Sequence, residues 1–342
     1  MGFGAGRRPY ASRLFPCLFL VAVVSSFAAT GGTVIRSGDY LIHTFTANGT
    51  FTTTGTLAYD VLLVGGGGGG NEGGGGGGGF LHLTSQSAPA GSHAVIVGLG
   101  GTSGANGQNS SFRGSVAYGG GGGGLGGASG GGAYLNGEGP GGTANYGSQG
   151  YPGGAAETGG WCSSGGGGGA GGSGEPGKNV GGQDGEEEWL SPDDKGGDGG
   201  MGRSSSITGV TAYYGGGGGG TNRSGYGALP GGGTGGGGAG SKSLGVGGTG
   251  TNGLGGGGGA YAAGGSGTVI IRYYSAAASQ TITFASIPNK IYGTAPFSIS
   301  PSASSGLPVT VSVTSGPATI SGNTVTITGI GSVTLTDRKS VV

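Results

Sequence analysis

Asp60-Val61-Leu62-Leu63-Val64-Gly65-Gly66-Gly67-Gly68-Gly69-Gly70 is the stretch on which the reading of this chain turns. Val61 to Val64 is an unbroken apolar run of strand length, which predicts a strand buried on both faces. It passes directly into six glycines, which have no side chains to bury in a core or to use in chemistry. Whatever such a run does, it does with its backbone. The same feature recurs at Gly73–Gly79, Gly119–Gly124, Gly165–Gly169, Gly215–Gly220 and Gly255–Gly259, and glycine makes up 102 of the 342 residues.

Strand signals frame these runs. On the N-terminal side, Tyr40-Leu41-Ile42-His43-Thr44-Phe45 is rich in β-formers, and Phe51 to Thr54 reads as its return strand. Between them Asn48-Gly49 offers the residue types of a two-residue hairpin turn, whose central positions need positive φ. Phe80 to Thr84 and His93 to Val97 follow as strands, and Gly98 to Gly267 is dominated by glycine. Thr268-Val269-Ile270-Ile271-Arg272-Tyr273-Tyr274 then closes the unit. A flexible spacer would not need such a frame.

Ordering a glycine backbone costs about 1–2 kcal/mol per residue, the worst case among the amino acids. Dense hydrogen bonding between extended left-handed helices, with three residues per turn, would offset that cost. Such helices direct N–H and C=O groups outward in three directions, and without Cβ atoms they can approach closely. The expectation is a polyglycine-II bundle. Phe80, Tyr118, Tyr134, Tyr213, Tyr214 and Tyr261 flank the runs and could cap its edges. The collagen pattern of glycine at every third position is absent.

The order of these motifs carries a resemblance. Thr44-Phe45-Thr46-Ala47-Asn48-Gly49-Thr50-Phe51, Val61 to Gly67, Ala94 to Gly101, Asn109 to Phe112 and Gly264 to Tyr273 together resemble the glycine-rich domain family. Related domains occur in bacterial surface proteins, phage tail-tip adhesins and receptors of the anaplastic lymphoma kinase type. The resemblance implies polyglycine-II bundles and recognition of proteins or host surfaces. Further on, Gln280 to Phe284, Tyr292-Gly293, Ser304 to Val309 and Gly322 to Ile327 resemble a bacterial Ig-like repeat. There, short alternating segments separated by glycine turns suggest a small antiparallel sandwich.

The fold expected is all-β: a strand frame bracketing a polyglycine-II helix bundle, followed by an Ig-like β-sandwich. Residues 1–28 read as a signal peptide, with Arg7, Arg8 and Arg13 before the apolar Leu14–Val24 and with Ser26-Phe27-Ala28 at the cleavage site. The glycine-rich domain covers 33–275, a linker 276–279 and the Ig-like repeat 280–336. Asp337 to Val342 matches the translation of a common sequencing adapter, which suggests a gene that continues beyond Thr336. A secreted or cell-surface location follows, with no membrane span in the visible chain.

Charged residues amount to 8% and the formal net charge is zero, which argues against a nucleic-acid footprint. Gly-x-Gly-x-x-Gly recurs from composition alone, and Gly240-Ser241-Lys242-Ser243 lacks the glycine before lysine that a phosphate loop needs, so no nucleotide partner is expected. His43, His82, His93 and Cys162 form no metal-ligand spacing, and no cofactor is expected. Glu186, Glu187, Glu188, Asp193, Asp194 and Asp198 read as a solvated loop, with calcium binding as the alternative. Trp161, Trp189, Tyr213, Tyr214 and Tyr226 are candidates for an aromatic recognition surface, or equally for packing against the glycines. The leading expectation is a non-catalytic adhesion or recognition module whose partner is a cell-surface or matrix protein or a glycan. A structural stalk, or an accessory region of a larger secreted enzyme, are the alternatives.

Overall fold

The computed structural model describes residues 29–134, 140–157, 163–178, 194–225, 227–275, 281–304 and 308–339. Residues 1–28, read above as a signal peptide, Cys162, Glu186 to Asp193 and residues 276–279, read above as a linker, lie outside them. The described residues divide into two units, 29–275 and 281–339.

The first unit contains β1 (Ala29–Thr30), β2 (Thr33–Ser37), β3 (Tyr40–Phe45), β4 (Gly49–Thr53), β5 (Leu57–Val64), β6 (Phe80–Ala88), β7 (Gly91–Ile96), β8 (Ser110–Phe112) and β9 (Ser115–Ala117). It continues with β10 (Arg203–Ser205), β11 (Ala212–Tyr214), β12 (Thr221–Asn222), β13 (Ser241–Lys242) and β14 (Thr268–Tyr274). Two five-stranded antiparallel sheets organise it, in the orders β1-β4-β7-β8-β9 and β2-β3-β14-β5-β6. Among the described residues there is no α-helix.

The closing strand β14 sits between β3 and β5, so Ile271 pairs with both His43 and Val61. Side chains alternate across a strand, and both faces of this sheet are covered along Val61–Val64 and Val269–Ile271. Val61, Leu63, Val269, Ile271 and Tyr273 join Phe51, Val95 and Phe112 of the other sheet in one core. Leu62, Val64, Ile270 and Ile42 face the other way, against Ala170, Ile207 and Tyr214 from the glycine-rich insert. Burial on both faces is why β5 and β14 read as continuous apolar runs.

Asn48-Gly49 does not make a hairpin. β3 pairs with β2 and β14, whereas β4 pairs with β1 and β7, so the segment crosses from one sheet to the other. Gly49 lacks the positive φ of a two-residue turn. The Asn48 side-chain oxygen instead accepts the Val97 N–H at 2.8 Å.

His43 is fully buried in the first core, edge-on to Phe51 and stacked on Tyr273. Its Nδ1 lies 2.7 Å from the Gly31 carbonyl oxygen and donates to it, and Nε2 is buried with no hydrogen-bond partner. Burial lowers the imidazole pKa, and the Gly31 bond only partly opposes this. The unfolded chain therefore binds the proton more readily. The neutral ring's contribution is complete above about pH 6.5 and is lost as pH falls from there through the folded pKa. The urea midpoint should drop between pH 7 and pH 5, and His43→Leu, less stable at pH 7, should lose a measurable share of that slope. An unchanged slope would contradict this account.

The glycine runs are extended and hydrogen-bond on several sides with a period of three. Gly65 and Gly68 donate to Gly79 and Gly76, Gly66 and Gly69 to Gln108 and Ala105, and Gly67 and Gly70 to Gly265 and Ala262, all at 2.8–3.0 Å. Gly73–Gly79 lies at the centre. Gly74 and Gly77 donate to Gly165 and Gly168, Gly75 and Gly78 to Gly258 and Gly255, and Gly76 and Gly79 to Gly121 and Tyr118. Its carbonyls receive Gly132, Gly218 and Gly68. Six separate segments thus surround one run. A methyl group at Gly75 would overlap the Gly68 carbonyl, and one at Gly74 would overlap that of Gly218. The N–H groups of Gly74 to Gly79 are all received by backbone carbonyls, the pairing that buried donors require.

The second unit contains β15 (Ile282–Thr283), β16 (Phe297–Ser298), β17 (Ser302–Ala303), β18 (Val309–Ser315), β19 (Ala318–Ser321), β20 (Thr324–Ile327) and β21 (Thr334–Lys339). They form three small antiparallel sheets, β15-β17, β16-β20-β19 and β18-β21. Ile299, Val311 and Val325 are its buried core, with Phe284, Phe297 and Leu335 partly covered. The last strand runs later than the predicted 332–335, pairing through Lys339 with Val309.

Candidate functional site

The sheet β2-β3-β14-β5-β6 has one patch that the insert leaves open. Asp60 and Arg272 are cross-strand neighbours in its centre, and Arg272 Nη2 donates to Asp60 Oδ2 at 2.7 Å. A bulge in β5–β6 follows Tyr59 and turns Ser85 to a φ of 55°, and the Ser85 N–H donates to Asp60 Oδ1 at 3.0 Å. Burial alone would raise the Asp60 carboxyl, but the hydrogen bonds from Arg272 and Ser85 outweigh it and hold the pKa below the usual range. Both members of the pair are part-exposed.

Aromatic rings flank this pair. The Arg272 guanidinium lies over the Tyr40 ring, 4.9 Å from its centroid, and Tyr40 meets Tyr274 edge-on at 5.9 Å. Tyr40 is 40% and Tyr274 63% exposed. His82 stands one strand further, on β6, with its imidazole pKa lowered by burial against the opposing pull of Asp60. The patch thus offers two exposed tyrosine rings beside a neutralised donor–acceptor pair, all on strands of the central sheet. That combination can stack a ring and exchange hydrogen bonds with polar groups on its rim.

A second aromatic surface lies on segments between glycine runs. Tyr118 and Tyr146 stack nearly parallel, 3.7 Å apart and 6° off. The turn that carries Tyr146 is pinned by Gln149, whose side chain accepts the Tyr118 N–H and donates to the Val116 carbonyl, both at 3.0 Å. Arg203 reaches the Ser148 carbonyl at 3.2 Å and covers the Phe80 ring.

Of the aromatic residues singled out in the sequence, Trp161, Trp189 and Tyr226 lie outside the described residues. Tyr213 is 49% exposed, and its neighbour Tyr214 is 4% exposed. They are adjacent on β11, so they point to opposite faces. Tyr214 packs against Phe80 and Ile207 in the second core and is a packing residue, not part of a surface. Phe80 is likewise buried there. The Tyr40–Arg272–Asp60 patch was missed, because its members lie in three strands whose pairing the sequence does not print. Among the described residues, no group of three or more His, Cys, Asp or Glu is placed to hold a metal ion, and no helix is long and apolar enough to cross a membrane.

The two-sheet frame with glycine runs between its strands defines a class of protein, and comparison with known families agrees. The family described as the glycine-rich domain matches residues 46–274. The chain belongs to the glycine-rich domain family. No curated protein matches it.

Proposed function

We propose that the chain is a non-catalytic, exported surface or extracellular protein, in which the glycine-rich domain is a rigid support for recognition of a cell-surface or matrix partner. The observation that carries this reading is the Tyr40–Tyr274 pair held open beside Arg272 and Asp60 on the central sheet. Exposed aromatic side chains beside a paired charge suit a neutral, hydroxyl-rich ring such as a glycan better than a charged ligand. The runs act as a polyglycine-II bundle, for which the three-residue period of donors and the six neighbours of Gly73–Gly79 are the support. The second unit acts as an Ig-like repeat.

The test is retention of the purified chain on a panel of glycans and cell surfaces. Saturable binding is expected, weakened about tenfold or more by Y40A/Y274A, as for central aromatic contacts elsewhere. Binding that ignores this double variant but falls with Tyr146→Ala would move the site to the Tyr118–Tyr146 stack. No binding to any member of the panel would favour a structural stalk.

A further inference from the structure

Gly119 and Gly122 are one three-residue period apart, so their N–H groups point the same way. Inside the bundle, such a row of donors is received by carbonyls of a neighbouring glycine segment. This row is not. The Gly122 N–H donates to the Asn106 side-chain oxygen at 2.8 Å and the Gly119 N–H to the Asn109 oxygen at 2.9 Å. The two asparagines are themselves three residues apart and exposed, and the glycines they serve are buried. Asn106 is steadied by its own Nδ2, which donates to the Gly126 carbonyl at 3.2 Å.

The structure assigns Asn106 and Asn109 a role as edge terminators: their amide oxygens stand where a further glycine segment would place its carbonyls, and so keep a second copy of this chain from pairing along that row. The second copy is the fitting occupant because the donor rows of Gly65–Gly70 and Gly73–Gly79 are received, at the same three-residue spacing, by other segments of this same chain. An open row of backbone donors is a template for edge-to-edge association, and natural folds blunt such edges with side chains. The same device recurs singly, where the Asp198 carboxylate accepts the Gly231 N–H at 2.7 Å and Asn252 accepts the Ser266 N–H at 2.9 Å.

The experiment compares the full chain with N106A/N109A, Asn109→Ala and Asn109→Asp. Sedimentation is followed over a range of concentrations, and amide hydrogen exchange is read at Gly119 and Gly122. In N106A/N109A both amides should exchange at least tenfold faster at low concentration, and the mean mass should rise with concentration beyond that of the parent chain. Asn109→Asp keeps an acceptor and should match the parent at Gly119, whereas Asn109→Ala should not. Parent-like mass at every concentration in N106A/N109A would overturn the proposal, as would equal association in Asn109→Ala and Asn109→Asp. If the double variant does not fold, Asn109→Ala against Asn109→Asp carries the same test at Gly119.

Discussion

Replacing Gly75 with alanine should cost the first unit about 3 kcal/mol or more, the upper end for overpacking, and Gly231→Ala should leave it as stable or slightly more so. The added methyl is the same; its surroundings differ. At Gly75 it would overlap the carbonyl carbon and oxygen of Gly68, which are backbone and cannot rotate away. Gly68 in turn donates to Gly76, in the same run as Gly75, and accepts from Gly258, so a shift there disturbs that run itself and one further segment. At Gly231 the nearest atoms are the Asp198 carboxylate oxygen and carbon, at 3.7 and 3.9 Å, an ordinary contact. Its φ is not in the left-handed region, so restricting the unfolded chain should contribute about 0.4–1 kcal/mol in favour of folding. Guanidinium unfolding of the two variants decides the matter. Equal losses at both positions would mean that the glycines are needed for flexibility and not for close approach.

Phe51→Ala should destabilise the same unit by about 3–5 kcal/mol, as expected for removing a buried phenylalanine from a packed core. Phe51 is fully buried and meets His43 at 5.1 Å, Phe112 at 6.0 Å and Tyr273 at 6.4 Å, three rings from three strands of both sheets. It joins the sheets, and β4 contributes little else to the core. The cavity would also remove the ring that packs edge-on to His43. A loss under about 1 kcal/mol in urea unfolding would show that the two sheets are held together chiefly by the glycine segments.

Much of the frame was legible in sequence because it is local. Val61 to Val64 and Val269 to Ile271 are apolar without alternation, and that signals two covered faces wherever it occurs. The runs announced their own order through the strands that bracket them. Pairing was not legible. Asn48-Gly49 has the chemistry of a hairpin, yet Phe45 and Phe51 both enter the core between the sheets, and burying both rings requires the chain to change sheets. Arg113-Gly114 makes the tight turn between β8 and β9, with φ of 47° and 81°, although arginine is a poor signal for it. For the patch around Tyr40, residues more than 200 positions apart had to be placed on neighbouring strands. The asparagine caps left one trace, the spacing Asn106-Gly107-Gln108-Asn109, which has the three-residue period of the runs it serves.

The position of β14 has a mechanical consequence. β2 and β14 both lie antiparallel to β3 and flank it, so they run in the same direction. The chain enters this trio at Thr33, beside Thr44, and leaves it after Tyr274, beside Tyr40, at the opposite end of the strands. A tether pulled between these two points loads the trio along its length, and its ladders must slide as a set instead of opening one rung at a time. The inserted glycine-rich segments, attached to this trio from within, carry none of the tension until the ladders slip. Resistance to force is set by the barrier to unfolding and not by equilibrium stability. A load applied through these two points therefore falls on the trio before it reaches the glycine runs.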